Sequence, residues 1–348
     1  MSDIKWLGVD LAKNVFFLVG LCENGKVRLK RKLSRKQFAA FLANSPACEL
    51  VLEACGGSHY WARKAKALGH HPVLLPAQRV KAYRSGQKND YNDAQACAEA
   101  GRFGAIRPVT PKTPEQQAQQ SFQVLRASLI KERTRMINQM RGLLGEFGVV
   151  IRRSVAAFER NIHEVLEDAE NELPDSLREL LNRQLRRYTD LCQEIAWYDA
   201  KLRRQSAQDE VCRLLMSLPG FGPVVSVTFR HWIGDGYHLA RARDASAAVG
   251  LVPRQRSTGG KQRLGVITKV GDAYLRSLLV HGARSFARQA SKKAKDDPLA
   301  AWVDRLIKRR GHNRAVVALA NKLVRIAWAV VRTGQPYQPR PMQPSESA

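Results

Sequence analysis

The stretch Trp6-Leu7-Gly8-Val9-Asp10 is an apolar run that ends in a carboxylate. Leu7 and Val9 alternate with smaller or polar neighbours, the pattern of a half-buried strand. A second β-rich run, Val15 to Leu21, follows closely, Glu23-Asn24-Gly25 is a turn signal, and Lys26 to Leu33 alternates again. Ser34 is a good N-cap for a helix from Arg35 to Ala43, with Phe38, Phe41 and Leu42 on one face and Ser45-Pro46 as its stop. Glu49 to Glu53 is a short buried strand that again ends in an acid. Gly56-Gly57-Ser58 then opens a helix through Leu68, Gly69 closes it, and Pro72 to Pro76 reads as a fifth strand.

The order βββαβαβ is that of a ribonuclease-H-like sheet, in which the first and fourth strands lie side by side. Asp10 and Glu53, both at strand C-terminal ends, are then expected to be neighbours. Lys88-Asn89-Asp90-Tyr91-Asn92-Asp93-Ala94 opens a helix running to about Phe103, with Asp90 and Asp93 spaced i, i+3 on one face of its first turn. Helix capping and the helix dipole also favour acids there, so the pair taken alone has a bland explanation.

Charge bounds the partners. The 348 residues carry 58 Lys and Arg against 31 acids, a net +27. The cations run through every region, which favours extended contact with a polyphosphate over a basic appendage. Cys22, Cys48, Cys55, Cys97, Cys192 and Cys212 show no zinc or CxxC spacing and are expected as reduced, mostly buried thiols. With no signal-peptide pattern and no long apolar run, a soluble, cytoplasmic protein that touches no membrane is expected.

Residues 108–114 form a Pro/Thr hinge, dividing an α/β domain (1–107) from a helical spacer (108–208). The spacer carries an apolar stripe of Phe122, Leu125, Leu129, Met136, Ile137, Met140, Leu143, Leu144 and Phe147. A second stripe joins Leu180, Leu181, Leu185, Tyr188, Leu191, Ile195 and Leu202. An antiparallel hairpin, an oligomeric coiled coil and a plain bundle core all fit. A mostly helical region (209–333) follows, and the tail 334–348 has a disordered composition.

That third region opens on Leu215-Met216-Ser217-Leu218-Pro219-Gly220-Phe221-Gly222-Pro223, the shape of a helix-hairpin-helix turn. Gly220 and Gly222 there are candidates for close backbone approach to a phosphate, and a simple Gly/Pro connection is the alternative. Further on, Ser257 sits with Gly259 and Gly260 among Arg254, Arg256, Lys261, Arg263 and Lys269. Four carboxylates at one sheet edge repel unless a cation lies between them, and hard oxygen ligands select Mg²⁺ or Mn²⁺. His59, His70 and His71 do not fit that ligand pattern and read as surface or structural. Cations around Ser257 suit either a phosphate-binding turn or an activated hydroxyl, and no base is visible in the motif.

Together the motifs resemble the DEDD transposases of insertion sequences in the IS110 family, in its IS1111 group. The resemblance rests on Gly-Val-Asp10, Val-Leu-Glu53-Ala, Asp90-Tyr-Asn-Asp93-Ala, the Leu-Pro-Gly-Phe-Gly turn, and Gly-Leu-Val-Pro-Arg through Ser257-Thr-Gly-Gly-Lys to Thr-Lys and Gly-Asp. It implies a RuvC-like domain, a coiled-coil spacer and a C-terminal transposase domain. It further implies that Asp10, Glu53, Asp90 and Asp93 bind Mg²⁺, and that Ser257 attacks DNA to form a covalent phosphoserine link. Donor and target DNA, a structured bridge RNA as guide and a homo-oligomer, dimer or tetramer, are the implied partners. Many relatives carry two adjacent serines, whereas here the second position is Thr258. Two readings compete with serine-linked strand exchange: metal-dependent hydrolysis with Ser257 merely holding phosphate, and a non-enzymatic RNA-binding scaffold.

Overall fold

A computed structural model describes residues 3–237 and 239–339. The chain forms two compact units, Met1–Ala118 and Gln119–Ala348.

In the first unit the sheet comprises β1 (Trp6–Leu11), β2 (Val15–Leu21), β3 (Val27–Ser34), β4 (Glu49–Glu53) and β5 (His71–Leu75), in the order β3-β2-β1-β4-β5. As expected, β1 lies beside β4, parallel to it, with Val9 opposite Leu52. The edge strand β3 is largely exposed and bears Arg28, Lys30, Arg31 and Lys32, charges that discourage further strand addition. Between β3 and β4 runs α1 (Arg35–Ala43), opened by a capping box of Ser34 and Gln37. Helix α2 (Ser58–Ala67) precedes β5, and a short helix, α3 (Ala77–Val80), leads towards α4 (Asp90–Phe103).

Strand alternation divides the side chains between two layers. Leu7, Val9, Leu50 and Leu52 join Phe16 and a packed aromatic group of Phe38 and Trp61 from α1 and α2. The odd-face partners of that pattern, Gly8 and Val51, face α4. The helix lies unusually close because nothing intervenes. A Cβ on Gly8 would stand 2.1 Å from the Ala94 carbonyl oxygen, and one on Gly101 would stand 2.4 Å from Val51 Cγ2.

The second unit is helical apart from one hairpin. Helices α5 (Pro114–Gly145), α6 (Val155–Glu167) and α7 (Asp175–Gln208) share a core of Met136, Ile137, Met140, Phe158, Leu181, Leu185 and Tyr188. Phe122 meets Tyr198 at 4.6 Å between ring centres, so α5 and α7 run antiparallel within one chain. The apolar stripe expected on α5 is only partly used, since Leu125 and Leu143 remain exposed.

A separate core gathers α8 (Glu210–Leu215), α9 (Pro223–Ile233), α10 (Ala242–Ala248), α11 (Ala273–Ala287), α12 (Ala290–Lys293), α13 (Pro298–Arg310) and α14 (His312–Thr333). The hairpin pairs β6 (Pro253–Gln255) with β7 (Leu264–Ile267). Of the tail expected to be disordered, residues 334–339 are described, and Tyr337 donates its backbone N–H to Ser217 Oγ; residues 340–348 lie outside the described residues. Among the described residues no helix is long and apolar enough to cross a membrane.

Candidate active site

The alternation that turns Gly8 and Val51 towards α4 turns Asp10 and Glu53 the same way, two residues further along each strand. Helix α4 begins at this end of the sheet, and its first turn carries Asp90 and Asp93. Three elements distant in sequence thus bring the four acids to one end of the sheet. The cap of α4 is Asn89, whose side-chain oxygen accepts from the Asn92 N–H at 2.8 Å. Capping therefore accounts for neither Asp90 nor Asp93.

The charges of these acids reach one another. Burial, then Asp90 and Asp93, push the Asp10 carboxyl above its ordinary range, while Lys88 pulls it down. Glu53 is likewise raised by burial and then by Asp10 and Asp93, with Arg84 opposing. Arg84 Nη1 lies 3.1 Å from Asp93 Oδ1 in a mostly buried ion pair. Beneath them the Cys97 thiol is held protonated, chiefly by burial. Among the described residues, however, no group of three or more His, Cys, Asp or Glu side chains is gathered tightly enough to hold a metal ion. The donor chemistry, all carboxylate oxygen, fits Mg²⁺ or Mn²⁺. The carboxylates stand near one another without forming a ready cage, as mutually repelling groups do when only Arg84 and Lys88 neutralise them.

The histidines take no part. His70 is buried and bonded to the backbone around Cys48 and Leu42, His59 accepts from the Lys112 N–H, and His71 is exposed. Cys55 is the exposed exception among the thiols expected to be buried.

Ser257 lies at the exposed end of the β6–β7 hairpin. Gly259 and Gly260 both have positive φ (54° and 75°), and the Lys261 N–H donates to the Thr258 carbonyl at 3.0 Å. This is the geometry of a type I′ hairpin turn, so the two glycines close the hairpin. Ser257 Oγ accepts from Gln255 Nε2 at 3.0 Å and from the Arg263 N–H at 3.4 Å. Both partners are donors, so neither can remove the hydroxyl proton. Arg254, Arg256, Lys261 and Arg263 stand exposed on the same hairpin, with the Arg254 guanidinium donating to the Thr268 carbonyl, and Lys269, at the hairpin's base, adopts a left-handed backbone (φ 57°).

The two glycines of the Leu-Pro-Gly-Phe-Gly turn part company. Gly220 is packed against α11, where a Cβ would stand 2.5 Å from the Gly282 carbonyl oxygen, so its lack of side chain serves helix packing. Gly222 is exposed at the start of α9, with open space around it. Arg84 and the packing role of Gly8 escape sequence reading; the glycine two residues before Asp10 was the available signal for the second.

Residues 7–148 match the DEDD transposase family of IS110, and residues 212–297 match the transposase IS116/IS110/IS902 family. The chain is 39% identical to the transposase for insertion sequence element IS1111A of Coxiella burnetii, over 97% of this chain and 92% of that one. It is 38% identical to the transposase for insertion sequence element IS1328 of Yersinia enterocolitica, over 96% and 98% of the two chains. Likeness at that level along almost the whole length means that the chain belongs to the IS110 family of insertion-sequence transposases, enzymes that act on DNA by phosphoryl transfer.

Proposed function

We propose that this transposase exchanges DNA strands through a covalent link to Ser257. Its Oγ gives up its proton to solvent and attacks a backbone phosphorus; the O–P bond forms, the bond to one sugar oxygen breaks, and that oxygen leaves as a hydroxyl after taking a proton from solvent. The reverse attack by another strand's hydroxyl frees the serine. The observation that carries this reading is the exposed Ser257 hydroxyl, oriented by two donors on a hairpin that also exposes Arg254, Arg256, Lys261 and Arg263. Those cations suit the charge that grows on a five-coordinate phosphoryl group. Gly222, Gly259, Gly260 and Lys269 belong to the same proposed nucleic-acid surface, whereas Gly220 supports it from the packed side of its turn.

Asp10, Glu53, Asp90 and Asp93 are the proposed ligands of Mg²⁺ or Mn²⁺, which when bound would stabilise phosphoryl charge and the reacting oxygens. Arg84 holds Asp93 until such a cation competes for it. A structured guide RNA and a second copy of the chain complete the proposal. The net charge of +27 suits holding RNA with two duplexes, and the exposed Leu125 and Leu143 of α5 suit a partner helix.

The test is a nicked suicide DNA substrate that traps the attached strand. Wild-type protein is expected to give a denaturant-resistant adduct and Ser257→Ala none, while Thr258→Ala keeps it. Cleavage by Ser257→Ala without adduct would replace this reading with direct hydrolysis. That second reading draws on the two hydrogen-bond partners of Ser257 Oγ, both of which are donors.

A further inference from the structure

A concavity of about 1680 Å³ lies wholly within the second unit, between the β6–β7 hairpin and helices α13 and α14. It exceeds the usual small-molecule pocket of roughly 300–1,000 Å³. Four cations line it: Lys269, Arg314, Lys322 and Arg325, with no acidic side chain among its lining residues. That sign of charge selects a polyanion. Its walls are nevertheless apolar, with Leu264 and Val266 of β7 facing aliphatic residues of α14, and Val266 is 72% exposed. Trp302 also lines it, with Lys322 Nζ 4.5 Å from the ring centre, and Tyr337 closes one end.

A duplex presents phosphates outward and keeps its bases stacked inside, so cations alone would serve it. An apolar, aromatic trough rimmed by cations suits a strand whose bases are unpaired and free to lie on side chains. We infer that this groove binds a single-stranded nucleic acid segment, its phosphates on Arg314, Arg325 and Lys269 and its bases against Trp302 and the β7 wall. Because the hairpin that bears Ser257 also forms one wall, the segment assigned is the unpaired strand flanking the attacked phosphate. That assignment rests on the proposed role of Ser257; the binding itself does not.

The experiment measures binding of the full-length protein to labelled 12-nucleotide single strands, DNA in one arm and RNA in the other, and to a blunt DNA duplex. Arg314→Ala with Arg325→Ala is expected to weaken single-strand binding at least tenfold. The slope of log affinity against log salt should fall by about 1.4, roughly 0.7 for each cation removed. Duplex binding should change less than threefold, and the stronger single-strand arm identifies the source. Trp302→Leu should weaken the same arm and remove photocrosslinks from a 4-thiothymidine strand to the α13 peptide. Equal losses for strand and duplex would overturn the inference, as would unchanged single-strand binding or a change in oligomeric state alone. Ser257→Ala is expected to bind single strands as wild type does. Failure of the groove and failure of the nucleophile therefore give separate results.

Discussion

The acid end of the first unit and the serine hairpin of the second are built on opposite principles. Asp10, Glu53, Asp90 and Asp93 come from three elements and are held by strand register and by a helix pressed onto Gly8. The cations around Ser257 come from one short hairpin, are exposed, and lean on little beyond their own turn. Like charges brought together without a ligand repel, so their positions need a stiff scaffold around them. Charges awaiting a polyanion need only be reachable, because the nucleic acid itself supplies the opposing charge.

The widest test of this contrast is removal of the reacting groups. Ser257→Ala and Asp10→Ala are each expected to lower strand exchange by about 10⁴-fold or more. Only Ser257→Ala should leave Mg²⁺ binding intact, as read by calorimetry. If Asp10→Ala binds Mg²⁺ as wild type does, the acid end is not the metal site.

Next comes stiffness. Gly8→Ala drives a methyl into the Ala94 carbonyl and should destabilise the protein by about 1–3 kcal/mol in denaturant unfolding. Gly260→Ala places a side chain at φ 75° but meets no atom, so only the backbone term remains and it should cost on the order of 1 kcal/mol. Equal costs would erase the distinction between scaffolded and self-supporting regions.

A smaller effect concerns the metal-free protein. Burial and repulsion raise the Asp10 and Glu53 pKa values, so the folded state disfavours their ionised forms. Their contribution to stability is thus most favourable at low pH and declines as pH rises through the raised values. Asp10→Asn should therefore raise the melting temperature at neutral pH by on the order of 1 °C. Saturating Mg²⁺ should raise that of wild type and leave Asp10→Asn nearly unmoved.

The finest probe is Arg84→Gln. Its cation favours ionised Glu53, so its loss should move the acidic limb of the activity profile to higher pH. An unmoved limb would detach Arg84 from the acid end.

Much of this was readable in the residues. The strands, the capping Ser34 and the position of β1 beside β4 follow from alternation and turn chemistry that act locally. Helices α6 and α13 escaped because each spans only 13 residues and opens on a brief cue: Ser154 caps α6 and Asp297-Pro298 opens α13. The hairpin at Ser257 was hidden because its strands are short and exposed and β6, Pro-Arg-Gln, has no β-rich composition, although Thr-Gly-Gly-Lys does encode the turn. At the acid end, sequence could name the four acids. It could not show that Arg84 pairs with Asp93, because that ion pair is set by tertiary placement.

The inner face of α4 has its own lesson. Against Gly8 of β1 it offers Ala94 and Ala98, and against Val51 of β4 it offers Gly101 together with Ala100 and Cys97. Cys97 apart, such a surface has no rotamer left to adjust and no bulk left to trim, so almost every replacement there enlarges it. Mutational drift on this face has one direction, outward, and it would lift the first turn of the helix away from Asp10.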